Sequence, residues 1–173
     1  TPPIGIPRPD FGIEESYRMY DDVSKRNSNL TYTQNSEGGF YTYYVDNTNP
    51  SATDTNNPYG NTTKPRLTIP TNLAEGSVVE VHGTIGGIGR LNLNISGTKE
   101  KPVFIRGSNI SDRPLITKDI RYTGQYLILE NLRYYNVTIE LRVVVGLGPT
   151  IHHASIRFSE RFADGTYPNI MSG

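Results

Sequence analysis

His82, Arg106, Glu130 and Arg157 stand at intervals of 24, 24 and 27 residues, each directly after an apolar residue of an alternating stretch. Those stretches are SVVEVHG (77–83), KPVFIRG (101–107), QYLILENL (125–132) and HASIRFSE (153–160). Two guanidiniums, an imidazole and a carboxylate in one surface column could hold a ligand carboxylate and move a proton beside it. The column contains a single acid, so it cannot by itself supply the roughly six to eight oxygens that calcium takes. The alternative reading is an exposed ladder of alternating charge, worth roughly 0–1 kcal/mol per pair.

A column across such intervals requires strands that stack. Aligning Val81, Ile105, Leu129 and Ile156 gives one apolar-x-apolar strand pattern per 24–27 residues, and a repeat of that length marks a structure in which units share one core. The sequence therefore predicts an all-β fold, a parallel β-helix (solenoid) of about four or five coils. LNLNI (91–95) and VTIELRVVV (137–145) are expected to add strands to the same coils. In this alignment the neighbouring outward column is Glu80, Phe104, Ile128 and Ser155. Its apolar middle is expected to be covered by the tyrosine-rich strand at 39–45, or else to serve as an aromatic platform for sugar rings.

Residues 1–65 form the expected N-terminal region, and 66–173 the coils, within one structural domain. Residues 1–12 are rich in proline and glycine and read as an extended arm. Segment 12–26 sets Ile13, Tyr17, Tyr20 and Val23 on one helical face, with acids early and Lys25 and Arg26 late, an order that suits the helix dipole. A short helix that caps the end of the stack is expected there. The polar tract 46–65 has no apolar periodicity and reads as a long surface loop held by turns. Asp46 and Asp54 could be taken as calcium ligands, but their spacing fails the EF-hand pattern.

With 17 basic and 17 acidic residues the formal net charge is zero, which gives no global attraction to nucleic acid or to an anionic membrane. No apolar run approaches the roughly 20 residues of a membrane span. The absence of cysteine excludes disulfides and thiolate metal sites. His152 and His153 are adjacent, point to opposite faces of a strand and cannot chelate one metal together. The glycines of GTIGGIGR (83–90) do not open a helix and read as turns. Asn-x-Ser/Thr sequons occur at Asn29, Asn61, Asn94, Asn109 and Asn136; they suit an extracellular glycoprotein, and equally a chain rich in turn residues. The opening TPPIGIPRPD has neither an initiator Met nor a signal-type apolar stretch and reads as a processed terminus or the start of an excised piece.

IPRPDFGIEESYRMYDDV, the tract from YYVDNTNPSATD to VEVHG, GTKEKPVFIRG with DRPLI, YLILENL and HHASIRFSE together resemble the N-terminal portion of secreted bacterial right-handed parallel β-helix proteins of the pectate-lyase-like superfamily. The likeness covers most of 6–160. It implies a uronate-containing polysaccharide as partner and, for an enzyme, proton abstraction by an Arg or Lys beside the uronate carboxylate, with calcium as cofactor. This chain has far fewer coils than is usual there, and the sequence contains no complete catalytic set, so whether it is an enzyme stays open. The leading expectation is a non-catalytic extracellular or cell-surface module, without cofactor, that self-associates end to end into a filament or surface layer. The alternative is a polysaccharide lyase or carbohydrate-binding β-helix.

Overall fold

The computed structural model describes residues 41–98, 101–108, 111, 113–141, 154–157, 160–161 and 169–172. The expected arm and the helix at 12–26 lie outside the described residues. Among the described residues the fold is all-β, and no helix is long and apolar enough to cross a membrane.

The described residues include fourteen strands: β1 (Tyr43–Asp46), β2 (Asn72–Leu73), β3 (Val78–His82), β4 (Thr84–Ile85), β5 (Arg90–Ser96), β6 (Val103–Gly107), β7 (Leu115–Ile116), β8 (Asp119–Gln125), β9 (Leu127–Glu130), β10 (Arg133–Tyr134), β11 (Thr138–Leu141), β12 (Ala154–Arg157), β13 (Glu160–Arg161) and β14 (Asn169–Ser172). They form three parallel sheets: a first in the order β1-β3-β6-β9-β12, a second β2-β5-β8-β11-β14 and a third β4-β7-β10-β13. From β2 onward each sheet takes every third strand of the chain. Val79, Ile105 and Leu129 of the first sheet, Leu93, Ile120 and Ile139 of the second, and Ile85, Ile116 and Tyr134 of the third meet in one buried apolar cluster. Period-two alternation produces this: each strand sends one set of side chains into the cluster and the other set outward.

The register corrects one expectation. Val79, not Val81, pairs with Ile105, Ile105 pairs with Leu129, and Leu129 with Ile156. Val81 pairs with Val45 and Gly107. Val79 and Val81 are both apolar and both point inward, so a slip of two residues leaves the hydrophobic pattern unchanged. Strand β1 supplies a second correction. The tyrosine-rich stretch expected to cover the outer face is itself a strand of the first sheet, in parallel register with β3.

The tract 46–65 is held by turns, as expected, but its position has a purpose that its composition does not disclose. Tyr44 donates its N–H to the Tyr59 carbonyl at 2.9 Å, Asp46 to the Arg66 carbonyl at 3.1 Å, and Arg66 to the Tyr44 carbonyl at 2.9 Å. The segment 59–66 thus occupies the edge of β1 that faces away from β3. Asn57 Nδ2 donates to the carbonyls of Thr53, Lys64 and Pro65 at 2.8–3.0 Å and fastens the loop to itself. Asn47 treats the edge of β4 likewise: its carboxamide donates to the Thr84 carbonyl and accepts the Thr84 N–H. Unpaired edges invite another strand, and a loop and an amide blunt two of them here.

Gly124 shows how closely the backbones approach. It lies opposite Ile95 with φ +102°, and a Cβ there would fall 1.8 Å from the Ile95 carbonyl oxygen. Gly87 shares that φ but meets nothing within 4 Å. Gly124→Ala is expected to destabilise the protein by more than the ~1–3 kcal/mol of backbone strain alone, and Gly87→Ala by no more than that strain. Urea unfolding of the two variants side by side measures the difference; equal losses would mean that the β5–β8 contact yields.

Candidate functional site

The two-residue shift in register redraws the outward column of the first sheet. It runs Tyr44, Glu80, Arg106, Glu130, Arg157, so that Glu80 takes the position expected for His82. His82 instead pairs with Asp46. Its ring stacks on Tyr44 with centroids 4.7 Å apart, and Nε2 lies 2.9 Å from Glu80 Oε1. The structure therefore brings Arg106, Glu130 and Arg157 into one row by register and sets His82 two residues along β3 beyond it.

This row is not an open ligand face. Arg106 is 2% exposed and Glu130 7%. Arg106 Nη1 lies 3.9 Å from Glu130 Oε1, while Nε donates to the Gly107 carbonyl at 3.1 Å and Nη2 to the Ser108 carbonyl at 3.4 Å. The guanidinium thus ties β6 to the turn that follows it. The adjacent outward column is Val78, Phe104, Ile128 and Ser155, and its first three members are fully buried. An aromatic platform open to sugar rings is therefore excluded at this column, as is a solvated charge ladder at Arg106 and Glu130.

The exposed polar face lies on the second sheet, in β5 and β11, which fall on stretches expected to add strands, and in β2 and β8, which do not. Asn72, Asn94 and Thr123 form one row by register. Asn94 Nδ2 donates to Asn72 Oδ1 at 2.7 Å, and Thr123 Oγ1 to Asn94 Oδ1 at 2.9 Å. Asn92, Arg121 and Glu140 form the next row. Glu140 Oε2 accepts from Arg121 Nε at 3.0 Å, Arg121 Nη2 at 2.9 Å and Arg90 Nη1 at 3.1 Å. Arg90 also lies 3.8 Å from Asp119, whose Oδ1 accepts the Thr138 N–H at 2.8 Å. Amides, a hydroxyl and two partly exposed guanidiniums, on strands about 4.8 Å apart, could bind a polyol chain bearing carboxylates. Outward positions read along RLNLNIS, DIRYTGQ and TIEL would have found this face.

The sequons fall on different surroundings. Asn94 and Asn136 are exposed, the latter at φ +49°. Asn61 is half-buried, and its Oδ1 accepts the N–H groups of Thr63 and Lys64. Asn29 and Asn109 lie outside the described residues. Asp46 accepts from Thr48, and Asp54 from Leu67 and Thr68; among the described residues no three His, Cys, Asp or Glu side chains gather as a metal-binding group. No protein-family model matches this chain, and neither does any curated protein or solved structure.

Removing one partner of a buried ion pair strands the other charge, which costs roughly 3–5 kcal/mol. Glu130→Ala is expected to lose stability on that scale, and the paired change Arg106→Met with Glu130→Leu to lose much less. Thermal and urea melts check this, and near-zero loss in Glu130→Ala would show the carboxylate to be solvated.

Proposed function

We propose that this protein is an extracellular or cell-surface structural module, a right-handed parallel β-helix without catalytic activity that adds to a filament or surface layer through the end formed by β12, β13 and β14. The observation that carries this reading is the treatment of the strand edges: at one end two of three are occupied, and there only β2 pairs on one side alone among the described strands. At one end the loop 59–66 and the Asn47 amide occupy the edges of β1 and β4. At the other, β12, β13 and β14 each pair on one side only among the described strands. Such edges accept further strands, and a contact that does not close builds fibres. Three parallel sheets with every third strand in each support the β-helix, and the right hand follows from the strong preference of parallel crossovers. Exposed sequons at Asn94 and Asn136 suit an extracellular setting.

Light scattering across a concentration range, with electron microscopy, tests association. The expected outcome is growth into ordered filaments, weakened in Ser172→Pro. The Thr138 N–H points to Asp119 of β8, and the β8-β11-β14 register then turns the Ser172 N–H to the open edge, where proline removes a donor without breaking the strand's pairing. A monomer at every concentration, or a closed dimer, would overturn the reading.

A second reading, binding of a uronate-containing polysaccharide in the manner of the pectate-lyase-like superfamily, is favoured by the polar rows of the second sheet. Calcium and lyase chemistry belong to this reading alone. Replacing Arg90 and Arg121 together with alanine is then expected to weaken binding to polygalacturonate at least tenfold, and unchanged affinity in a direct binding measurement would count against it.

A further inference from the structure

At the end formed by β1, β2 and β4, two of the three sheets are blunted: the segment 59–66 lies along β1 and the Asn47 amide along β4. The second sheet differs. Its edge strand β2 pairs with β5 alone among the described strands, and Thr71 and Asn72 are exposed there. Asn94 donates its N–H to the Thr71 carbonyl at 2.7 Å, so Thr71 faces β5. Successive residues of a strand turn their backbone groups to opposite sides, and Asn72 therefore turns both its N–H and its C=O away from β5. The side chains run the same way. Thr123 donates to Asn94 and Asn94 to Asn72, a chain of hydrogen bonds directed at this edge, and at its end Asn72 Nδ2 donates to no described residue.

The other end of the same sheet offers matching groups. Thr138 turns its N–H to β8, so Ile139 and Leu141 face β14, and by register Asn169 and Met171 face β11. The N–H and C=O of Ile170 and Ser172 are thereby turned outward. We propose that β2 is the receiving edge for a second copy of this chain: β14 of one copy adds in parallel to β2 of the next, with Met171 opposite Asn72. In that register the Asn72 N–H meets the Ile170 carbonyl and the Ser172 N–H meets the Asn72 carbonyl, the bonding of a parallel ladder. The faces agree as well, since Met171 is aligned with Glu140 and Asn72 with Asn94, both outward positions of the second sheet. The joint is made by one sheet of three and is polar, head to tail, because the two edges it unites are different strands. This inference rests on the end-to-end reading above and supplies the surface that receives the β14 edge.

Asn72→Pro removes an outward donor and leaves the β2–β5 pairing intact, as Ser172→Pro does at β14. Light scattering on the full chain compares both with wild type. Each variant alone is expected to assemble at least tenfold less, and an equimolar mixture to stop at a one-to-one dimer, because only one joint in it is whole. Wild-type growth in Asn72→Pro, or a homodimer of that variant, would overturn this proposal and leave end-to-end association standing; a wild-type monomer at every concentration would remove both. Should Asn72→Pro fail to fold, thiols replace it in a chain that has no native cysteine. Positions 72 and 171 of one chain lie four strand spacings apart, about 19 Å, beyond the roughly 7 Å that a disulfide spans between Cα atoms. Asn72→Cys protein mixed with Met171→Cys protein is expected to give a disulfide-linked heterodimer under mild oxidation, in preference to either homodimer. No such cross-link at concentrations at which the wild type assembles would overturn the proposal.

Discussion

Parallel, in-register backbone pairing is the constraint on which the rest depends. It repeats each strand's hydrogen bonds on the next at a fixed spacing of about 4.8 Å, so every side chain must be compatible with those directly above and below. Tyr43, Val79, Ile105, Leu129 and Ile156 make one inward stack, and Leu91, Ile120 and Ile139 are aligned in another. A slip of one residue would turn an entire strand inside out. The same rule orders polar groups on the second sheet, where Asn lies over Asn and Thr, and Arg over Glu. Tyr122 shows the cost of placing a polar tip in such a stack: burial pushes its hydroxyl pKa above the ordinary tyrosine value.

Stacking also creates the chief liability, since a stack of strands must stop somewhere. Here the first stop is built from polar residues. Asn57 holds the loop together through three carbonyls, Arg66 donates to the carbonyls of Asn57, Pro58 and Thr68, and Asp54 accepts from Leu67 and Thr68. A run of Asn, Asp and Thr without apolar periodicity is therefore not filler. It is a network that presents backbone partners to β1.

What the sequence discloses follows from which constraints are local. Alternation at Val103-Phe104-Ile105 or Leu127-Ile128-Leu129 is local, and the all-β, parallel character followed from it. The register between β3 and β6 is not, because Val79 and Val81 are interchangeable in pattern and the choice depends on the whole stack. That one ambiguity exchanged Glu80 for His82 in the candidate column. Burial of Phe104, Ile128, Arg106 and Glu130 on the outer face was equally hidden, since alternation tells inside from outside but not outside from wet. The second-sheet rows were visible in principle as outward positions, but they combine residues from three separated stretches, and only the pairing brings these together.

The edge of β4 rests on one side chain. Asn47 works there because a carboxamide carries a donor and an acceptor in the same arrangement as a peptide group, so Thr84 meets a counterfeit strand one residue long. An ionised aspartate has the same shape but no N–H, and would set a charged oxygen against the Thr84 carbonyl. Hydrolytic deamidation makes that exchange without any mutation. The shielding of this edge therefore has a chemical lifetime as well as a thermodynamic stability, and it can age while every strand of the fold remains in place.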